Sequence, residues 1–401
     1  MKFPTSFRVK YLTGIALIGS FLVICLPISS SHHLISRFWG MIDQRNYVQF
    51  DNFQSEHIPF SDKFRTALGS SSVDVAMLNG TKYALSTSME TSQVFITDLQ
   101  SGLTKSISGE FISSPRISIW CDIDADGLPE ALIPNWSENS SDFIILYFSD
   151  TNFSLDRWVS VDTGYRPRSL VCSDLDKNGY NDVVVVNNFS DTVSVFYNNS
   201  GELKSKIQLA TEMEPGALYL WDWNKDGFLD ITVSNRRSNS LIVFENNNQS
   251  GFSGSPVLRV PLVDTPKDHV IISSKRHPNI VVSANGENST VQLVGISENN
   301  NIVTNQHIRV PGFPHSLSAK GSIENGYRLY IAGYPNWVSI IDVCGSQLVF
   351  KSSYWLGDLS KKNILYLDII DGSTNELALA LEGKNFLGSI KPYLSEVCVD
   401  N

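Results

Sequence analysis

Three stretches of the sequence place acidic side chains at a spacing that suits a hard cation. They begin at Asp122, Asp174 and Asp222 and end at Glu130, Asp182 and Asp230. Each reads D-x-[DN]-x-[DN]-G-x-x-[DE]. Calcium takes about six to eight oxygens at roughly 2.3–2.6 Å. Carboxylates or amides at positions 1, 3 and 5 of a tightly wound loop supply such oxygens. The glycine at position 6 permits the sharp turn, the position 7 carbonyl adds a backbone oxygen, and the last acid closes the cage. An EF-hand closes with a glutamate at position 12 between helices. Here the acid comes at position 9, and the flanks are strand-like: Ile117–Trp120 and Ala131–Ile133, Ser169–Val171 and Val183–Val186. The expectation is a strand–loop–strand calcium site, present three times.

The elements around the loops recur with them. Ser169–Cys172 is an apolar run, followed by the loop, Val183–Val186, a turn at Asn187-Asn188, an alternating Val193–Tyr197 and a polar Lys204–Leu209. The third copy has Ala217–Leu220, Ile231–Val233, a turn at Asn235 and Leu241–Phe244; the first has Asn135 and Phe143–Phe148. The frame continues without the acids. Upstream it holds Val73–Leu78 and Val94–Thr97. Downstream come Val270–Ser273, Ser316–Ala319 and Ile364–Ile370, the last with an eroded loop at Asp368, Asp371, Gly372 and Glu376. Seven units with a period near 50 residues, each of four short strands, predict an all-β, seven-bladed β-propeller over residues 66–401. A tandem of sandwiches would need periods nearer 90–100 residues. Units that begin at their inner strand leave the last one short of an outer strand. His57–Phe60 or Tyr47–Phe50, within a linker over residues 31–65, is expected to supply it.

Residues 1–30 stand apart. Lys2, Arg8 and Lys10 precede an apolar run from Leu12 to Ile28, about 17 residues and near the lower limit for a membrane span. The run is either an uncleaved transmembrane signal-anchor helix or a cleaved secretory signal. No A-x-A cleavage site follows it, and Phe38 and Trp39 suit a membrane interface, so the anchor is favoured. Either way the rest of the chain lies outside the cytoplasm, where millimolar calcium is found: membrane-anchored in periplasm, lumen or at the cell surface, or secreted.

The formal charge of −10 argues against nucleic acid, which demands a basic face, and ten of the 41 acids sit in the three loops. Cys121, Cys172, Cys344 and Cys398 are enough for two disulfides; of the pairings, Cys344–Cys398 is favoured because it pins the C-terminal tail. The histidines lack metal-ligand spacing, and no nucleophile elbow, phosphate loop or dinucleotide fingerprint is present. His269, His277 and His315 either converge near the axis or are scattered on the surface. Arg166, Arg168, Arg236 and Arg237 read as a basic rim or as ordinary turn residues, with the second favoured. Trp120, Trp221 and Trp223 read as packing between blades.

The loops and their period resemble the FG-GAP/VCBS class, the calcium-loop propeller repeats of integrin alpha subunits and many bacterial secreted proteins. The resemblance covers about residues 66–395 and is specific in the three intact loops. It implies about three structural Ca²⁺ ions held by Asp122, Asp124, Asp126 and Glu130, by Asp174, Asp176, Asn178 and Asp182, and by Asp222, Asn224, Asp226 and Asp230. Leu128, Tyr180 and Phe228 would give backbone carbonyls. The Phe-Gly and Gly-Ala-Pro signatures of the class are absent, which places the chain nearer the VCBS variant. The function expected is that of a non-catalytic module that binds protein or glycan, such as an accessory subunit of a membrane complex. The alternative is a polysaccharide lyase or hydrolase on a propeller scaffold.

Overall fold

A computed structural model describes residues 61–65, 70–247, 251–334, 336–355, 363–371, 376–382, 386–390 and 398. All belong to one compact unit, and all regular structure among them is β-strand. Strand β1 (Ser61–Arg65) comes first. A first blade follows from β2 (Ser70–Leu78), β3 (Thr81–Ser88), β4 (Gln93–Asp98) and β5 (Thr104–Ser108). The second has β6 (Ile119–Cys121), β7 (Glu130–Pro134), β8 (Asp142–Phe148) and β9 (Leu155–Asp162). The third has β10 (Pro167–Ser173), β11 (Asp182–Asn187), β12 (Thr192–Asn199) and β13 (Glu202–Ala210). The fourth has β14 (Pro215–Trp221), β15 (Asp230–Asn235), β16 (Ser240–Phe244) and β17 (Leu258–Pro261). The fifth has β18 (Pro266–Ile272), β19 (Asn279–Asn285), β20 (Thr290–Ile296) and β21 (Ile302–Arg309). The sixth has β22 (Phe313–Ser322), β23 (Gly326–Tyr334), β24 (Trp337–Cys344) and β25 (Gln347–Trp355). Last come β26 (Asn363–Asp371), β27 (Glu376–Glu382) and β28 (Phe386–Ile390).

One expectation is corrected here. Seven equivalent blades become six: only six sheets are built from four consecutive antiparallel strands. The remaining four-stranded sheet, in the order β1-β28-β27-β26, is a composite of strands from both ends of the described chain. Its outer strand is Ser61–Arg65, while His57–Phe60 and Tyr47–Phe50 lie outside the described residues. The transmembrane helix expected at the N-terminus falls on residues that are not described. No described helix is long and apolar enough to cross a membrane, and the apolar segment Leu12–Ile28 lies outside the described residues. The first strands β2, β6, β10, β14, β18, β22 and β26 neighbour one another in that order, and β26 returns to β2. The sheets therefore close into a ring, a β-propeller.

Side-chain alternation explains why the ring holds. Successive residues of a strand point to opposite faces of its sheet, and in a propeller each face meets a different neighbouring blade. Val183 and Val185 pack with Leu132, Phe143 and Ile145 of the second blade. Val184 and Val186, one residue out of phase, pack with Leu218, Ile231 and Val233 of the fourth. All four valines are fully buried. A second strand must therefore be apolar on both faces, and the Val183–Val186 run satisfies that demand. An outer strand meets solvent instead: Leu155–Asp162 is exposed along nearly its whole length.

Candidate metal sites

The three acidic loops join first strand to second strand in the second, third and fourth blades, and they share one backbone. The fourth residues, Ala125, Lys177 and Lys225, have φ of 60°, 60° and 66°, and the glycines Gly127, Gly179 and Gly227 have 86°, 93° and 89°. Two left-handed residues one apart wind the chain tightly enough to turn the side chains at positions 1, 3 and 5 inward. Glycine is favoured at the second of them, where a Cβ would be strained.

The acid at position 9 has a second task in each loop. Glu130 Oε2 accepts a hydrogen bond from the amide of Ile123 at 2.7 Å, Asp182 Oδ2 from Leu175 at 2.8 Å and Asp230 Oδ2 from Trp223 at 2.7 Å. The other oxygens of Asp182 and Asp230 accept the amides of Asn198 and Asn246 at 2.8 Å. The first aspartate ties the glycine: Gly127, Gly179 and Gly227 donate to Asp122, Asp174 and Asp222. A loop is thus pinned at both ends by its own acids.

Each loop is also fastened to the next blade through the carbonyl of its second residue. Ile123 O accepts from Asn198 Nδ2 at 2.7 Å, Leu175 O from Asn246 Nδ2 at 2.9 Å and Trp223 O from Asn279 Nδ2 at 2.9 Å. Adjacent loops touch as well. Asn181 donates to the carbonyl of Asp122, and the Lys177 ammonium sits 3.8 Å from the centre of the Phe228 ring.

Carboxylate oxygens of Asp122, Asp124 and Glu130 lie within 4.8 Å of one another, as do those of Asp174, Asp176 and Asp182. In the third loop Asn224 replaces the second aspartate, and its amide binds Asp226 Oδ2 at 3.0 Å. Burial pushes Glu130 up to about 8, and the charges of Asp124, Asp122 and Asp126 act in the same direction against the bond from Ile123. Burial likewise lifts Asp182 and Asp230 to about 6, despite their backbone hydrogen bonds. Asp124 is raised by burial and then by Asp126 and Asp122. Burial and mutual repulsion thus both disfavour the charged carboxylates. Asp122 Oδ1, Asp124 Oδ1 and Asp222 Oδ1 are buried and accept no hydrogen bond. The oxygens of Asp122 and Asp124 fit one bound cation, and that of Asp222 fits another in its own loop.

Other residues singled out in the sequence fall in different places. Trp120 packs in the core between the first two blades, and Trp223 in that between the fourth and fifth. The Trp221 indole donates to Asn279 of the fifth blade at 2.9 Å. The three histidines do not converge. His269 is buried against Thr232 Oγ1 at 2.9 Å and held neutral, its pKa pushed down to about 3 by burial. His277 donates its amide to Ser274 in the loop of the fifth blade. The cysteines pair as Cys121–Cys172 and Cys344–Cys398; the first joins the inner strands of the second and third blades beside two acidic loops. The arginines are not alike. Arg237 is an exposed turn residue near Glu214, whereas Arg168 is only 4% exposed. Arg116 and Lys267 escaped sequence reasoning. The signal that marks them is a proline once per repeat, in Pro115-Arg116, Pro167-Arg168, Pro215-Gly216, Pro266-Lys267 and Pro314-His315.

Comparison with known proteins agrees with this geometry. Residues 174–233, spanning the second and third acidic loops, match the FG-GAP-like repeat family. No curated protein matches the chain. Among solved structures, BBS1N in complex with ARL6DN, soaked with lead, is similar at a TM-score of 0.59 and 13% identity. The match covers 86% of this chain and 99% of that one. The same complex soaked with mercury gives equal values. Dihydro-heme d1 dehydrogenase NirN in complex with DHE is similar at 0.51 and 12% identity, over 78% of this chain and 65% of that one. At such identities the likeness is one of fold.

Proposed function

We propose that the protein is a calcium-stabilised propeller that works as a non-catalytic docking module for a protein partner. In this reading it lies outside the cytoplasm and is held at a membrane by its N-terminal apolar segment. The observation that carries the reading is the three-fold repetition of one loop geometry, with carboxylate oxygens gathered within 4.8 Å in the first two loops and buried, unpartnered oxygens in the first and third. Calcium is the natural occupant, because the donors are all oxygens and the loops are irregular. An ion caged by protein oxygens has a structural role, which leaves function to the surfaces the ring presents. Two disulfides support an oxidising compartment.

A protein partner is supported by the face opposite the loops. There Arg166 lies 4.5 Å from the Phe189 ring, 4.8 Å from Trp136 and 5.8 Å from Tyr165. Phe189 is 52% exposed, and Tyr165 and Met213 are exposed beside it. Aromatic and arginine side chains of this kind are the residues that dominate protein interfaces. The similar structure BBS1N is itself in complex with ARL6DN.

The metal is tested by counting ions on the purified full chain after dialysis. Three calcium ions per chain are expected, and two in Asp174→Ala; a chain that binds none sinks the reading. The partner is tested by gentle detergent extraction followed by mass spectrometry. Stoichiometric companions that disappear with Phe189→Asp, together with a retained Met1 or Lys2, are expected. A lone chain beginning near residue 31 would instead mean a secreted protein.

A further inference from the structure

The inner strands carry an irregularity at one shared place. Their pairing register shifts between Ser70 and Ser72, Pro167 and Ser169, Pro215 and Ala217, Pro266 and Asp268, and Pro314 and Ser316. In the second blade Pro115 bridges Asn135, as Pro167 pairs with Asn187 and Pro215 with Asn235. Arg116 therefore holds the equivalent position. A β-bulge leaves one residue out of the ladder and re-aims its side chain. The residues so released are Ser71, Arg116, Arg168, Gly216, Lys267 and His315. Because the strands that carry them are the innermost of a ring, the side chains turn to the axis. Gly216 has none to offer. The stem of Arg236 fills that space instead, with Cδ 2.7 Å from where a Cβ on Gly216 would stand. Four cationic side chains from four consecutive blades are thereby delivered to one end of the channel, opposite the acidic loops.

The electrostatics agree with this convergence. After burial, the charges of Arg168, Lys267, Arg236 and Arg116 all help to hold His315 well below its usual range. Arg116 and His315 belong to the second and sixth blades, so their influence reaches across the axis. Lys267 is brought down to about 7 by burial and then by Arg236 and Arg168. Glu287 and Glu214 act in the opposite direction on Lys267. Asp268 feels Arg168 without forming an ion pair with it, and its two oxygens accept the amides of His269 and Leu317 at 2.9 Å.

Arg168 decides the matter. It is 4% exposed, its Nε donates to nothing, and its side chain makes no ion pair among the described residues. A buried guanidinium without a counter-ion is costly, and its planar fork matches carboxylate and phosphate-like groups. We propose that this end of the axial channel is an oxyanion-binding site, in which Arg168 grips a carboxylate or tetrahedral oxyanion surrounded by Arg116, Arg236 and Lys267. The site is independent of the acidic loops and of their metal.

The full chain is titrated with sulfate for the tetrahedral class and succinate for the carboxylate class, at constant calcium and ionic strength in sodium chloride. Heat of binding and melting temperature are followed. One of the two anions is expected to bind and to raise the melting temperature by a few degrees at about a hundred times its Kd. Arg168→Met should weaken binding by at least about tenfold and raise the melting temperature without the anion, since it removes an unpaired buried charge. Arg237→Ala, on the exposed rim, should change neither. Should Arg168→Met fail to fold, Lys267→Met carries the test, with a several-fold loss of affinity expected. The site is refuted by a wild-type chain indifferent to both anions beyond chloride, or by undiminished affinity in Arg168→Met or, in its place, Lys267→Met.

Discussion

The second, third and fourth blades join first strand to second by gathering like charges, and the sixth does the opposite. In the sixth, Ile323, Glu324 and Asn325 close the hairpin between β22 and β23. Its buried charges are complementary: Arg328 Nε donates to Asp342 Oδ1 at 2.7 Å, and its second nitrogen to Oδ2 at 2.9 Å. The first blade is simpler still, with Asn79 and Gly80 both at positive φ in a two-residue turn. Hairpins in this ring therefore close without an acidic cluster. The acidic loops are built at an electrostatic cost, and what they gain is a fixed platform. Through Asn198, Asn246 and Asn279, each platform is bolted to the next blade. In the proposed reading the three acidic blades depend on a cation from solution, whereas the sixth carries its own counter-charge.

That contrast can be broken most forcefully by chelation. Each calcium site filled at a hundred times its Kd adds about 2.7 kcal/mol. EGTA should therefore lower the melting temperature by many degrees and expose amides of the second to fourth blades to hydrogen exchange first. A curve that does not move would mean the acids tolerate one another without an ion. Arg328→Ala reverses the experiment: it leaves the buried Asp342 carboxylate with Lys351 at 3.6 Å in place of its two-pronged partner, at a cost of up to about 3–5 kcal/mol, equally with and without calcium. A calcium-dependent loss would join the two halves that the comparison separates. Asn246→Ala is milder. It removes the bolt between the fourth blade and the Leu175 carbonyl, at about 1–3 kcal/mol, and urea midpoints should show it.

The smallest effect concerns Lys267. Its pKa is lower in the folded chain than the ordinary lysine value near 10.5, so the unfolded chain holds more protons between about pH 7 and 10.5. Stability on its account rises with pH across that window. Lys267→Met should flatten the rise between pH 7.5 and 9.5, and an unaltered slope would show that Lys267 is solvated.

The sequence revealed most where one residue had one task. Val183–Val186 can only be a strand buried on both faces, and Asp174–Asp182 has too many oxygens for an ordinary turn. It revealed less where a residue acts through a distant partner. The strand that completes the composite sheet pairs with Phe386–Ile390, and nothing local to Ser61–Arg65 says so. Asn198 looks like a turn residue, yet its amide reaches a carbonyl in the preceding blade. Arg168 follows a proline and precedes a strand, the usual setting of an exposed turn. Only the bulge shared with Arg116, Lys267 and His315 shows that it faces inward.

The pairing of β1 with β28 also fixes a timetable for synthesis. The six contiguous blades can form one after another as the chain emerges, but β1 must wait for a partner that begins at Phe386, 321 residues after Arg65 (386 − 65 = 321). At about 5–20 residues per second the wait is roughly 15 to 65 seconds. Throughout it, the first of the described strands has an open edge that any nascent neighbour of similar pattern can occupy. The ring is thus exposed to mispairing for as long as the ribosome takes to finish it, and a partner that shields β1 in that interval would raise the yield of closed rings.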